Sequence, residues 1–255
     1  MSELVLLEKD LEHRVAKITL NRPKQRNALS GALVTELNAA YDEVLDKDEI
    51  GCVVLTGADP AFCAGLDLRE VGGGGMTTGL DFITRLWESS TVVIGAVNGA
   101  VATGGLELAL ACDWLLASEK AKFADTHVRV GLLPGAGMSV LLAQAVGVRK
   151  AREMSLTGRF IDAEEALAFG LVNSVVPHQE LVHVAMAQAR EVSAHPVQAM
   201  RQYALLLQEN SRLSPQAGIE NEREKFVTFL RSMNFSEVEQ RRESVVEKGR
   251  HQAGS

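Results

Sequence analysis

The chain has 255 residues, 46% of them hydrophobic and 23% charged, so it is too apolar for a disordered polypeptide and long enough for one large domain or a core with an appendage. Its 33 acidic and 26 basic residues give a formal net charge of −7, which offers no positive field to neutralise a phosphate backbone and excludes nucleic acid as the expected partner. Acidic residues in the opening MSELVLLEKDLEH, and apolar runs interrupted at Glu107 and Asp113, argue against a signal peptide or membrane span and for a cytoplasmic protein.

Strand-like and helix-like segments alternate through the first half, the pattern of an α/β architecture. Val15 to Leu20 reads as a strand that Asn21-Arg22-Pro23 breaks, and Ser30 as the N-cap of a helix whose apolar stripe includes Leu33, Leu37, Ala40, Val44 and Leu45. Cys52 to Thr56 and Thr91 to Val97 read as strands, Gly104 to Ala111 as a short helix, and Asp113 to Ala117 as a return to strand. The four consecutive glycines at 72–75 lose much backbone entropy on ordering and read as a mobile surface loop. Asp162-Ala163-Glu164-Glu165 has the form of a D-x-x-E capping box, opening a helix that Gly170 closes before Leu171 to Val176 and Pro177. From about residue 179 the chain reads as largely helical, broken at Pro196 and Pro215. The expected organisation is an α/β core over 1–190 with a helical region over 191–255.

Several familiar signatures are missing. There is no G-x-S-x-G elbow, Gly135-Ala136-Gly137 lacks the third glycine of a dinucleotide fingerprint, and Gly104-Gly105 is followed by Leu106 rather than lysine. His178 and His183 are five residues apart and would lie on different faces of a helix, so no metal site is expected. Cys52, Cys63 and Cys112 are odd in number and sit among apolar neighbours, as buried free thiols do.

Two glycine-punctuated segments stand out, Phe62-Cys63-Ala64-Gly65-Leu66-Asp67-Leu68 and Asn98-Gly99-Ala100-Val101-Ala102-Thr103-Gly104-Gly105-Leu106-Glu107-Leu108. Glycines at a strand-to-helix turn let a ligand approach the backbone closely, and the first N–H groups of a helix are unpaired. Glu107 follows Gly104 by about one helical turn, inside a run of Leu, Ala and Cys where an ionisable group is costly without a role or a partner.

These segments, with Leu20-Asn21-Arg22-Pro23, Asn27-Ala28-Leu29, Pro134-Gly135-Ala136-Gly137 and Gly170-Leu171-Val172, resemble the enoyl-CoA hydratase/isomerase (crotonase) superfamily over nearly the whole chain. The resemblance implies an α/β spiral of repeated ββα units, a C-terminal helical region that builds homotrimers or hexamers, and an acyl-CoA thioester as substrate, with no separate cofactor. Carried over by position, the backbone N–H groups of Leu66 and Gly104 would form an oxyanion hole around the thioester carbonyl. Ala64 would meet the adenine of CoA and residues 66 to 69, Leu66 through Arg69, would line the pantetheine path, with Arg69 and Lys24 in reach of phosphates and Asp67 as a hydrogen-bonding residue of that segment. Glu107 matches the first of two glutamates that share a water in the family's hydratases. The second position, within Phe123 to Gly131, falls on His127.

That departure disfavours the isomerases, which rely on a carboxylate there, and leaves hydration of a 2-enoyl-CoA as the first expectation. Histidine still exchanges protons near neutral pH. Asp125, two residues away, would share a face with His127 and orient its ring if the stretch is extended, though not if it is helical. Another CoA-thioester reaction of the same fold, such as decarboxylation, carbon–carbon cleavage or isomerisation, and a non-catalytic acyl-CoA-binding protein, are the alternatives.

Overall fold

The structure, a computed structural model, describes residues 3–72, 80–233, 235, 236, 238, 239, 241 and 242. Residues 73–75 of the glycine run expected to form a loop lie outside the described residues.

The chain opens with strands β1 (Val5–Asp10) and β2 (Val15–Leu20), paired antiparallel from Val5↔Leu20 to Asp10↔Val15. β2 has its expected bounds, whereas β1, an edge strand with the half-exposed run VLLEKD, shows no clean alternation and is not expected from the sequence. Helix α1 (Gly31–Val44) starts where Ser30 Oγ accepts the Leu33 N–H at 3.2 Å, and it buries Leu33, Val34, Leu37, Ala40, Tyr41 and Val44.

A strand–strand–helix unit then occurs three times. The first is β3 (Cys52–Gly57), β4 (Ala61–Cys63) and the pair α2 (Leu68–Gly72) and α3 (Asp81–Glu88). The second is β5 (Val92–Val97), β6 (Ala100–Ala102) and α4 (Gly104–Leu110). The third is β7 (Trp114–Ser118), β8 (Lys122–Ala124) and α5 (His127–Val130). Next come α6 (Met138–Val146), α7 (Val148–Thr157), β9 (Ile161–Asp162), α8 (Ala163–Ala168), β10 (Ser174–Val176), α9 (Leu181–Ser193), α10 (Val197–Asn210) and α11 (Pro215–Ser232). The Asp162 carboxylate accepts the Glu165 N–H at 2.8 Å, as the capping box implies.

The first strand of each unit joins a six-stranded sheet, β1-β2-β3-β5-β7-β10, parallel from β2 onward. The second strand joins a smaller sheet, β4-β6-β8-β9. β3 and β5 are buried at every position, as strands covered on both faces must be. Alternate residues serve two cores. Val53, Leu55 and Val93 face the core that α1 and α4 complete, while Val54, Val92 and Ile94 face Leu181, Ala185 and Ala189 of α9. The strand expected at Asp113–Ala117 begins one residue later. Asp113 instead closes the turn, with its N–H donating to the Val93 carbonyl at 2.9 Å and its Oδ2 accepting the Val93 N–H at 2.7 Å.

The chain divides into compact units of residues 1–204 and 205–255. Within the first, Arg201 on α10 reaches Asp48 and the carbonyls of Lys47 and Ile50. Within the second, Asn221 Nδ2 donates to Asn210 Oδ1 at 2.8 Å and Lys225 Nζ to Glu209 at 2.8 Å, holding α11 to the end of α10. Among the described residues, no helix is long and apolar enough to cross a membrane.

Candidate active site

The parallel small sheet sets Cys63 of β4 beside Val101 of β6, and Val101 beside Phe123 of β8. The three following turns therefore leave the sheet side by side. They carry, in order, Leu66, Gly104 and His127.

The first turn is built around Gly65, whose φ of +94° is open to glycine, and a Cβ there would lie 2.0 Å from Thr103 Oγ1. Leu29 donates its N–H to the Gly65 carbonyl at 2.8 Å and accepts the Asp67 N–H at 3.0 Å, so it brackets Leu66 in a parallel bridge. In such a bridge the bracketed residue turns its own N–H to the opposite side. That is the side of Gly104, where a Cβ would fall 3.7 Å from the Leu66 nitrogen. The Gly104 N–H is the first of α4, and among the described residues neither it nor the Leu66 N–H donates to a main-chain carbonyl. Thr103 holds the second turn at φ +48°, ψ −121°, a sparsely populated conformation for a β-branched residue. Its N–H donates to Ala124 O at 3.1 Å and its hydroxyl to Ala64 O at 3.5 Å, tying all three turns together. Gly105 packs against the strand behind, where a Cβ would meet the Cys63 carbonyl oxygen at 2.1 Å.

Glu107, on the first turn of α4, is 1% exposed. Its Oε1 accepts the Ala136 N–H at 2.7 Å and the Met138 N–H at 3.4 Å, leaving Oε2 facing His127 Nε2 at 3.9 Å. Sequence reasoning missed these two amides. The glycines around Ala136 were the available signal, because Gly137 at φ +103° turns the chain into α6 and presents the N–H groups to the carboxylate.

His127 is 7% exposed. The stretch around it is neither wholly extended nor wholly helical: β8 ends at Ala124 and α5 begins at His127. Asp125 sits in the gap, and its Oδ1 accepts both the His127 main-chain N–H at 3.2 Å and the ring Nδ1–H at 2.7 Å. The turn thus brings Asp125 to the ring even though His127 itself is helical. That hydrogen bond is the main reason the imidazole pKa is raised above its usual 6.5, against the opposing effect of burial, with the charges of Asp125 and Glu107 adding to the rise. Burial pushes the Asp125 carboxyl up, but the His127 ring, the Ser155 hydroxyl and the His127 N–H together hold it below the usual carboxylate value.

The other expected residues lie along the outer side of the first turn. Ala64 donates its N–H to Arg26 O at 3.0 Å, which sets it next to the exposed single turn Pro23–Gln25 that carries Lys24. Leu68 and Arg69 open α2 and are exposed. Asp67 is buried and accepts a 2.6 Å hydrogen bond from Arg22, whose guanidinium is the main cause of its lowered pKa, and its Oδ1 accepts the Arg69 N–H. Among the described residues no cluster of His, Cys, Asp and Glu could hold a metal ion. Cys52 and Cys63 are buried and Cys112 partly so; all are free, and burial pushes the Cys63 thiol up to about 12.

The arrangement sets two main-chain donors beside one anchored carboxylate and one imidazole. Known proteins with the same sequence pattern are similar throughout. A family model described as enoyl-CoA hydratase/isomerase matches residues 10–252. A probable enoyl-CoA hydratase of Mycobacterium bovis is 40% identical over 204 residues, 78% of this chain and 79% of that one. The 2,3-dehydroadipyl-CoA hydratase of Escherichia coli is 34% identical over 231 residues, 89% of each. Among solved structures, an enoyl-CoA hydratase from Bacillus anthracis superimposes with a TM-score of 0.88 at 30% identity, covering 94% of this chain and 96% of that one. One from Mycobacterium tuberculosis gives a TM-score of 0.75 at 45% identity, covering 86% and 95%. With its spiral of ββα units and its matched length, this chain belongs to the enoyl-CoA hydratase/isomerase family.

Proposed function

We propose that the protein adds water reversibly across the C2=C3 double bond of a 2-enoyl-CoA thioester. The observation that carries this reading is the opposition of Glu107 and His127 across 3.9 Å next to the Leu66 and Gly104 amides. The thioester carbonyl accepts from both amides, which hold the negative charge that develops on its oxygen as an enolate forms. Glu107, anchored through Oε1, uses Oε2 to take a proton from water as the oxygen attacks C3. His127 gives its Nε2 proton to C2. Its raised pKa keeps the ring charged, and therefore able to donate, further into the neutral range than a free histidine.

In the same reading, Ala64, Leu66, Asp67 and Leu68 flank the path of the pantetheine and adenine, and Arg69 and Lys24 reach the phosphates. The subunits assemble as trimers or hexamers; exposed Ile219, Phe226 and Val227 on α11 support this, since apolar side chains of that size are normally covered.

The test follows the loss of absorbance of crotonyl-CoA and longer enoyl-CoAs. Wild-type protein hydrates at least one of them, and Glu107→Gln lowers kcat about 100- to 10,000-fold, the usual contribution of a positioned acid or base. Equal rates in both proteins remove Glu107 from the chemistry. The imidazole at His127 specifically favours a second reading, a CoA-thioester reaction such as decarboxylation that needs one acid only. Mass spectrometry of a panel of CoA esters separates the two.

A further inference from the structure

The mechanism above uses His127 but leaves unexplained why a buried carboxylate, Asp125, and a hydroxyl on α7, Ser155, stand behind it. We propose that Asp125 is a positioning residue for the reaction: it fixes the proton of His127 on Nδ1, aims Nε2 at Glu107, and keeps the ring cationic between turnovers. This rests on the hydratase reading for its catalytic consequence, though not for the geometry.

A carboxylate has no proton to give, so the 2.7 Å contact at Nδ1 requires the ring to donate there. The second contact, from the His127 main-chain N–H to the same oxygen, locks the carboxylate to the first residue of α5 and leaves the ring little freedom to flip. Nε2 is then the only nitrogen available to Glu107. The charged groups that bear on the ring are Asp125 from the turn and Glu107 from α4, while α7, which packs on α5, contributes the uncharged Ser155 to Asp125.

The arrangement closes a proton cycle. When water adds, its oxygen bonds to C3 and one of its protons passes to Glu107; the C2 proton leaves His127 Nε2, and the ring becomes neutral with Nδ1–H still on Asp125. Product departs with both atoms' worth of water, and the Glu107 proton then crosses the 3.9 Å gap to Nε2. Both groups return to their starting states without a proton from bulk solvent. Asp125 drives that return, because its negative charge makes the ring a better base than it would otherwise be.

The experiment is an NMR titration of 15N-histidine-labelled full-length protein, with His127→Gln identifying the His127 signals, run beside pH profiles of kcat. In wild type the neutral ring carries its proton on Nδ1 and titrates above the free-histidine value. Asp125→Asn keeps the shape but removes the charge. The His127 titration then moves to lower pH, the alkaline limb of kcat moves with it, and KM is unchanged. Ser155→Ala, which removes a partner of the carboxylate, moves both in the same direction by less, and serves if the Asn variant does not fold. An unmoved His127 titration in Asp125→Asn overturns the proposal, as does an NMR shift with no change in the alkaline limb. If wild type hydrates no enoyl-CoA, the function reading fails, while the titration and tautomer still decide whether Asp125 sets the state of the ring.

Discussion

At the level of single residues, two neighbouring glycines have different jobs. Gly104 has room for a methyl group, whose nearest contacts would be 3.6–3.7 Å away, but that methyl would sit beside the Leu66 nitrogen where the thioester oxygen is received. Gly104→Ala is therefore expected to keep its melting temperature and to lose about 100- to 1,000-fold in kcat, the cost of one oxyanion donor. Gly105→Ala would press a methyl against the Cys63 carbonyl, which as backbone cannot move aside. It is expected to lose about 1–3 kcal/mol of stability in denaturant unfolding, as overpacked positions do. Of these residues, Glu107 was legible in the sequence as a carboxylate in an apolar run, and Leu66, Gly104 and His127 through the family resemblance. The amides that anchor Glu107, from Ala136 and Met138, were not, because main-chain donors 29 and 31 residues away carry no side-chain signature. Ser155 was hidden for the same reason of distance: α7 reaches Asp125 only in three dimensions.

At the level of elements, the site follows from repetition. Each ββα unit lays its second strand beside the previous one in the small sheet, so the turns that end those strands converge without any long-range signal in the sequence. Long elements with clear periodicity were readable: α1 with its Ser30 cap, β2, β3 and β5. The three-residue strands β4, β6 and β8 were not, since so few residues show no alternation. Two element-level predictions follow from the contacts. Ser30→Ala removes the acceptor for the Leu33 N–H and is expected to cost about 0.5–2 kcal/mol by urea unfolding. Asp113, which links β5 to β7, is raised by burial from its usual 3.8 to about 6. The folded state then binds the proton more tightly than the unfolded one, so this group's contribution to stability falls as pH rises from about 4 to about 6. The difference in unfolding free energy between wild type and Asp113→Asn should vary across that window and be flat above and below it. A constant difference would mean that Asp113 does not titrate there.

At the level of the whole molecule, the apolar residues left on α11 should govern assembly. Sedimentation is expected to give three or six times the chain mass, and Phe226→Glu, at a position 59% exposed in the single chain, should shift it toward monomer. What matters most, however, is whether the two turns really receive a carbonyl oxygen. Isotope-edited infrared spectroscopy of crotonyl-CoA labelled with 13C at the thioester carbonyl, bound to the slow Glu107→Gln variant, reads that contact directly. Two main-chain donors should draw the carbonyl stretch to lower frequency than in buffer, and adding Gly104→Ala should return part of that shift. A bound carbonyl that absorbs as it does in water, with or without the Gly104 change, would contradict the account.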